Sequence, residues 1–143
     1  NLTGADLRWS NLTGARVHEA KFADANLTEA DLTGVDLGFA DLTGADLSGA
    51  NLIDAYMEDT NLQDANLAGA DLTKAYLEAT DLTGADLTQA NFTGAFLEGV
   101  NLENADLTDA VLTDTKLDRV KNLNTAILRR TTMPDATVNN SGC

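Results

Sequence analysis

The sequence predicts an all-β solenoid built from four-sided coils of 20 residues. Two observations predict it: an apolar residue returns at every fifth position, and unit positions form coherent columns only when the chain is read in twenties. Take the apolar residue as the centre of a five-residue unit. Between residues 2 and 117 there are 24 centres, of which 20 are Leu and the others Val17, Phe22, Met57 and Phe92. Two places earlier stands Ala in 17 of the 23 units from residue 5 to 115, and elsewhere Ser10, Val35, Thr60, Thr80, Val100 or Thr115. A strict period of five matches neither an α-helix nor a continuous strand. The two apolar positions of each unit flank one polar residue, which is the inward alternation of a short extended side. The other positions are rich in Thr, Gly, Asp and Asn, residues suited to a turn. Each unit therefore reads as one side and one corner. One unit cannot bury its own leucine, so the units must stack.

The number of sides follows from the columns. Tyr56, Tyr76 and Phe96 occupy the position before the centre and lie 20 residues apart, so four units per coil align them and three scatter them. Asn and Asp at this position support the same count. The columns read Asn11, Asp31, Asn51, Asp71, Asn91; then Asp6, Asn26, Asp46, Asn66, Asp86, Asp106; then Asn1, Lys21, Asp41, Asn61, Asp81, Asn101. Only Asp86 and Asp106 place two Asp in succession. Stacked coils lie about 4.8 Å apart. Carboxylates at that spacing repel, whereas an Asn amide can donate to a carboxylate above or below it.

Runs such as residues 40–52, ADLTGADLSGANL, and 79–92, ATDLTGADLTQANF, resemble the pentapeptide-repeat family, with its A(D/N)LXX consensus. The resemblance covers about residues 1–120 and implies a right-handed quadrilateral β-helix. The small residue and the leucine would point inward and the other three outward. From residue 2 to 138 there is room for about seven coils, a rod on the order of 30–35 Å long. The organisation expected is a repeat body over 1–120 and, within the same domain, a shifted-register terminal coil or cap with a tail over 121–143. The shift is visible because Leu123 follows Leu117 by six residues, after which Leu128, Met133 and Val138 resume the period as further centres. The extra residue is expected near Lys121-Asn122 as a bulge or wider corner. The segment TTMPDATVNN is similar to a terminal segment of cyanobacterial members. At the other end Leu2, Leu7, Leu12 and Trp9 would lie near an open end, which predicts a missing cap or an end-on self-association. Asn1 opens inside a running repeat, so further residues are expected upstream.

The chain is acidic, with a formal net charge of -14. Residues 1–115 hold 21 acids and four bases (-17), and residues 116–143 hold five bases and two acids (+3), which sum to the same total. Such a body repels nucleic acid and anionic membrane surfaces. No apolar run reaches membrane-spanning length. Catalysis has no visible basis. His18 is the one histidine and reads as a solvated surface residue, and Ser10, Ser48 and Ser141 lack a base partner. Cys143, the one cysteine, reads as a tail thiol. No metal, cofactor or catalytic residue is expected. Thr13, Thr33, Thr73, Thr93 and Thr113 align on one face as in ice-binding solenoids, but Thr also follows the leucine throughout the family consensus.

One face departs from the pattern. Its outward column is Arg16, Asp36, Tyr56, Tyr76, Phe96, Lys116, and beside it run Glu58, Glu78, Glu98 and Asp118. Exposed aromatics are enriched at interface cores, and aromatics also stabilise stacked strands by cross-strand contact. Tyr56, Tyr76, Phe96, Glu58, Glu78, Glu98 and Asp118 are thus the candidate protein-interaction face. The expected function is that of a non-enzymatic structural or protein-interaction module. The resemblance implies a second reading, since some members mimic B-form DNA in size and charge, bind DNA gyrase and protect it from quinolones. The resemblance also implies a cytoplasmic or thylakoid-lumen location.

Overall fold

The structure, a computed structural model, describes residues 1–140. Ser141 and Cys143 lie outside the described residues. Each side of a coil is held by a parallel bridge between a residue and the one 20 positions on, from Asp6 with Asn26 to Asn101 with Lys121. One turn of the solenoid therefore takes four units. At each bridge the centre donates forward and the polar residue donates back. The Leu7 N–H reaches the Asn26 carbonyl at 2.7 Å, and the Asn26 N–H reaches the Ala5 carbonyl at 2.9 Å. The sides are so short that they register as single bridges rather than strands.

Each corner is a tight turn closed by a hydrogen bond across three residues, such as Ser10 N–H to the Leu7 carbonyl at 3.1 Å. Its third residue is left-handed in every unit from Gly4 to Arg119, as a type II turn requires. Glycine fills this place at Gly69, where an added Cβ would meet nothing and only backbone conformation argues for glycine. Non-glycine corners include Asp54, Asp64, Asn104 and Asp114, whose side chains tolerate the left-handed region.

The inward assignment is confirmed. Leucines from Leu27 to Leu112, the alanines beside them, and Phe22, Met57 and Phe92 are essentially inaccessible to solvent. Threonines in the alanine position stay dry by bonding within the core. The Thr60 hydroxyl donates to the Leu37 carbonyl at 2.8 Å, Thr80 to Met57 at 2.5 Å, and Thr115 to Phe92 at 2.7 Å. Each bond reaches back to the preceding coil. Ser10 holds the same place in the first coil, and its buried hydroxyl lacks a partner among the described residues.

The Asn/Asp column has a role that alternation alone does not reveal. The Oδ1 of Asp or Asn accepts the N–H two residues on, as Asn26 does from Thr28 at 3.1 Å and Asp81 from Thr83 at 3.0 Å. A following Thr hydroxyl donates to the same oxygen, at 2.7 Å in Thr28 and 2.6 Å in Thr83. This Asx-type bond shapes the corner that follows. The expected donation between coils also occurs. Asn66 reaches Asp46 at 3.2 Å, Asn91 reaches Asp71 at 3.3 Å, and Asn101 reaches Asp81 at 3.3 Å.

At the C-terminal end the bridge spacing rises by one residue, with Asp106 paired to Ile127 and Val111 to Thr132. The extra residue is taken up by a short 3-10 turn at Leu123–Thr125, after a left-handed Asn122. The chain then forms an antiparallel hairpin of β1 (Thr131–Thr132) and β2 (Val138–Asn139). This corrects one expectation. Val138 is not an inward centre but is 57% exposed, because β2 turns back along β1 instead of continuing around the coil. Leu128 and Thr131 are buried, and Leu123 and Met133 pack against the core from partly covered positions. Arg130 clasps Asp109 of the preceding coil, tying the basic end to the acidic body. At the opposite end Leu2 is exposed, and Trp9 is 65% exposed with its indole N–H on Glu29 at 2.9 Å.

Candidate functional site

On the face whose centres are Val17, Leu37, Met57, Leu77, Leu97 and Leu117, the position before the centre changes character. Tyr56, Tyr76 and Phe96 replace Asn or Asp in three successive coils. Their rings stack nearly parallel. The centroids of Tyr56 and Tyr76 are 4.9 Å apart at an interplanar angle of 3°, and those of Tyr76 and Phe96 are 4.6 Å apart at 2°. Lys116, next in the column, places its Nζ 4.7 Å from the Phe96 centroid, within range of a cation–π contact. The ladder is open at its side, with Tyr56 54% and Tyr76 39% exposed.

The replacement has a local cost. An aromatic ring cannot accept the N–H two residues on as Asp does. Among the described residues no side-chain oxygen takes the N–H of Glu58, Glu78 or Glu98, whereas Asp36 in the same column accepts the Gly38 N–H at 3.1 Å. One corner in each of three successive coils thus lacks the bond that Asp and Asn make elsewhere.

The structure brings all seven sequence-predicted residues together. Tyr56, Glu58, Tyr76, Glu78, Phe96, Glu98 and Asp118, with Lys116, border one groove of about 310 Å³. Its acidic wall is only partly neutralised: Glu98 pairs with Arg119 at 3.1 Å, and among the described residues no ion pair falls on Glu58 or Glu78. The groove continues toward the N-terminal end as a second cavity of about 520 Å³ that shares Tyr56 and Glu58. Arg16, His18, Asp36 and Phe39 complete its walls, with Gly14, Gly34 and Gly38 as its floor.

Sequence reasoning missed this second cavity. His18 is half-exposed, as expected, but it is not merely solvated. Its ring meets Phe39 edge-on, with centroids 5.3 Å apart at 65°, and its Nδ1 lies 3.7 Å from Asp36. Gly38 permits that pose, since a Cβ there would come within 2.9 Å of His18 Nδ1. The available signal was Phe39, a bulky residue at a corner position otherwise held mostly by Gly or polar residues. It carries a φ of 57° and is 52% exposed. No group of acidic, His or Cys side chains suited to holding a metal occurs among the described residues. No helix among them is long and apolar enough to cross a membrane.

A family model for pentapeptide repeats matches the chain in 8 copies, over residues 1–38, 40–78, 50–89, 60–99 and 85–133. The chain belongs to the pentapeptide-repeat family. Among solved structures of the family, it is similar to alr5209, a pentapeptide-repeat protein from Nostoc PCC 7120. The identity is 30% over 74% of this chain and 83% of that one, with a TM-score of 0.57. It is also similar in fold to a trypsin-treated variant of QnrB1, a plasmid-mediated fluoroquinolone resistance protein. There the identity is 16% over 95% of this chain and 80% of that one, with a TM-score of 0.64. A third relative is Rfr23 from the cyanobacterium Cyanothece 51142, at 27% identity over 81% and 89% of the two chains and a TM-score of 0.48. No curated protein matches the sequence.

Proposed function

We propose that this pentapeptide-repeat protein is a non-enzymatic protein-interaction module that docks its partner on the Tyr56–Tyr76–Phe96 face. The body is a right-handed quadrilateral rod of about seven coils, residues 1–120 forming the repeat and 121–143 its terminal coil, cap and tail. The observation that carries this reading is the triple replacement itself. One corner in each of three successive coils forgoes the Asx bond, a loss of about 0.5–1.5 kcal/mol for a typical hydrogen bond. In its place stand half-open aromatic rings beside Glu58, Glu78, Glu98 and Asp118. Aromatic anchors with a polar rim are the usual composition of an interface core.

The test is an affinity pull-down from the source cell with the wild-type chain and with Tyr76→Ser. Loss of a captured protein with an unchanged melting temperature supports docking. Loss of thermal stability with capture intact means that the ladder serves only the fold.

A second reading, a gyrase-binding DNA mimic, is favoured by the charge of -14 on a regular rod. The family resemblance implies loop insertions within the repeats of such mimics, and against this stands the unbroken spacing of bridges from Asp6 to Lys121. A supercoiling assay separates the two, since inhibition of gyrase by micromolar protein would favour the mimic.

A further inference from the structure

We infer that the cavity beneath Tyr56 receives the side chain of an arginine or lysine from a basic segment of a protein partner. The inference rests on reading this face as a docking surface and names what docks there.

An aromatic stack has two end faces. At the C-terminal end the molecule fills the place with a cation of its own: Lys116 Nζ lies 4.7 Å from the Phe96 centroid. Arg119 joins it on Glu98 at 3.1 Å. At the N-terminal end the column continues with Asp36, which bridges Tyr56 but carries no ring. That face of Tyr56 opens on the cavity of about 520 Å³. A cation held within about 6 Å of a ring centroid is attracted by the ring's negative face. The open end of the ladder therefore offers what the closed end already uses.

The remaining walls fit the same ligand. Phe39 and His18 meet edge to face at 5.3 Å and present further aromatic surface. Phe39 does so from a left-handed corner, where a bulky side chain is disfavoured and glycine would be the easier choice. Glu58 supplies a carboxylate with no ion pair among the described residues, and Asp36, 3.7 Å from His18 Nδ1, supplies a second carboxylate. Arg16 is the like charge in the wall, and the two carboxylates Asp36 and Glu58 outnumber it. An anionic or purely apolar ligand would leave the Glu58 carboxylate facing it without an ion pair, so charge complementarity selects a basic side chain.

The experiment titrates a capped hexapeptide of alternating arginine and glycine into the full chain at low ionic strength, followed by calorimetry and by the aromatic NMR signals of the two tyrosines. The same peptide with citrulline for arginine is the control for charge. The expected result is binding of the arginine peptide with the larger shift at Tyr56. Tyr56→Ser and Glu58→Gln should each weaken it by about fivefold or more. Tyr56→Phe, and Asp86→Asn on the opposite side of the rod, should leave it intact. If Tyr56→Ser does not fold, the contrast between Glu58→Gln and Asp86→Asn decides the matter. Equal binding by all variants would show diffuse attraction to an acidic body and overturn the proposal. Binding of the citrulline peptide, or no binding at all, would overturn it as well. A partner lost in Tyr76→Ser while the arginine peptide fails to bind would reject the basic occupant and leave the docking face standing.

Discussion

At the scale of single residues, the Asp and Asn before each leucine do more than keep charges apart. Their oxygens hold the next corner, and their ionisation reflects it. The carboxyls of Asp31 and Asp41 are held below the usual carboxylate range, chiefly by the hydroxyls of Thr33 and Thr43 and then by the N–H groups of the same residues. At Asp81 burial pushes the other way and is outweighed by Thr83, Gln63 and Asn101. Beside Arg8, Asp6 is lowered to about 2. A carboxyl with a folded pKa below its unfolded value of about 3.9 contributes stability above that value. The contribution is lost as the pH falls from about 4 through the folded pKa, because the unfolded chain then binds more protons. Thr43→Val should therefore lower the melting temperature at pH 7. That deficit should shrink below about pH 4, where Asp41 becomes protonated. Thermal unfolding of both proteins across that range checks it, and a deficit independent of pH would remove Asp41 ionisation from the account.

At the scale of the element, the unit is a one-bridge side and a left-handed corner. The corner conformation is imposed by the coil whatever residue occupies it. Ala79 takes a φ of 56° there without a polar side chain to compensate. An L-residue in that region costs roughly 1–2 kcal/mol. Glycine avoids this and loses about 0.5–1 kcal/mol in extra chain entropy. Ala79→Gly should accordingly raise stability by up to about 1 kcal/mol, against the usual order of the two residues in helices and strands. Denaturant unfolding with an unchanged m-value would register it, and a destabilised variant would mean that the corner relaxes out of the left-handed region.

At the scale of the whole molecule, each coil contacts only its neighbours, so damage should spread along the stack rather than stay at its site. Leu72 lies mid-rod and is fully buried. Leu72→Asp places a charge with no partner in that core and should cost more than about 4 kcal/mol. Circular dichroism should show loss of several coils rather than a local change. A variant with an unchanged melting temperature would contradict the inward stacking of the leucines.

The fold was legible because every unit repeats the same instruction. Leucine at each centre, a small residue two places before it and turn formers between them are local features, and stacking multiplies them. The 20-residue column needed only Tyr56, Tyr76 and Phe96 to be read as neighbours. For the same reason the seven residues of the aromatic–acidic face could be read as neighbours, since a column is a linear pattern in the chain. The tertiary structure alone decided what breaks that regularity. Val138 has the right spacing for a core position, yet a hairpin carries it outward, because pairing with Thr132 depends on where the chain turns and not on its period. The cavity at Tyr56 was hidden in the same way. It joins a corner Phe39, a His18 admitted by Gly38, and a ring one coil further on. Contacts across a corner depend on side-chain direction, and spacing along a chain does not encode it.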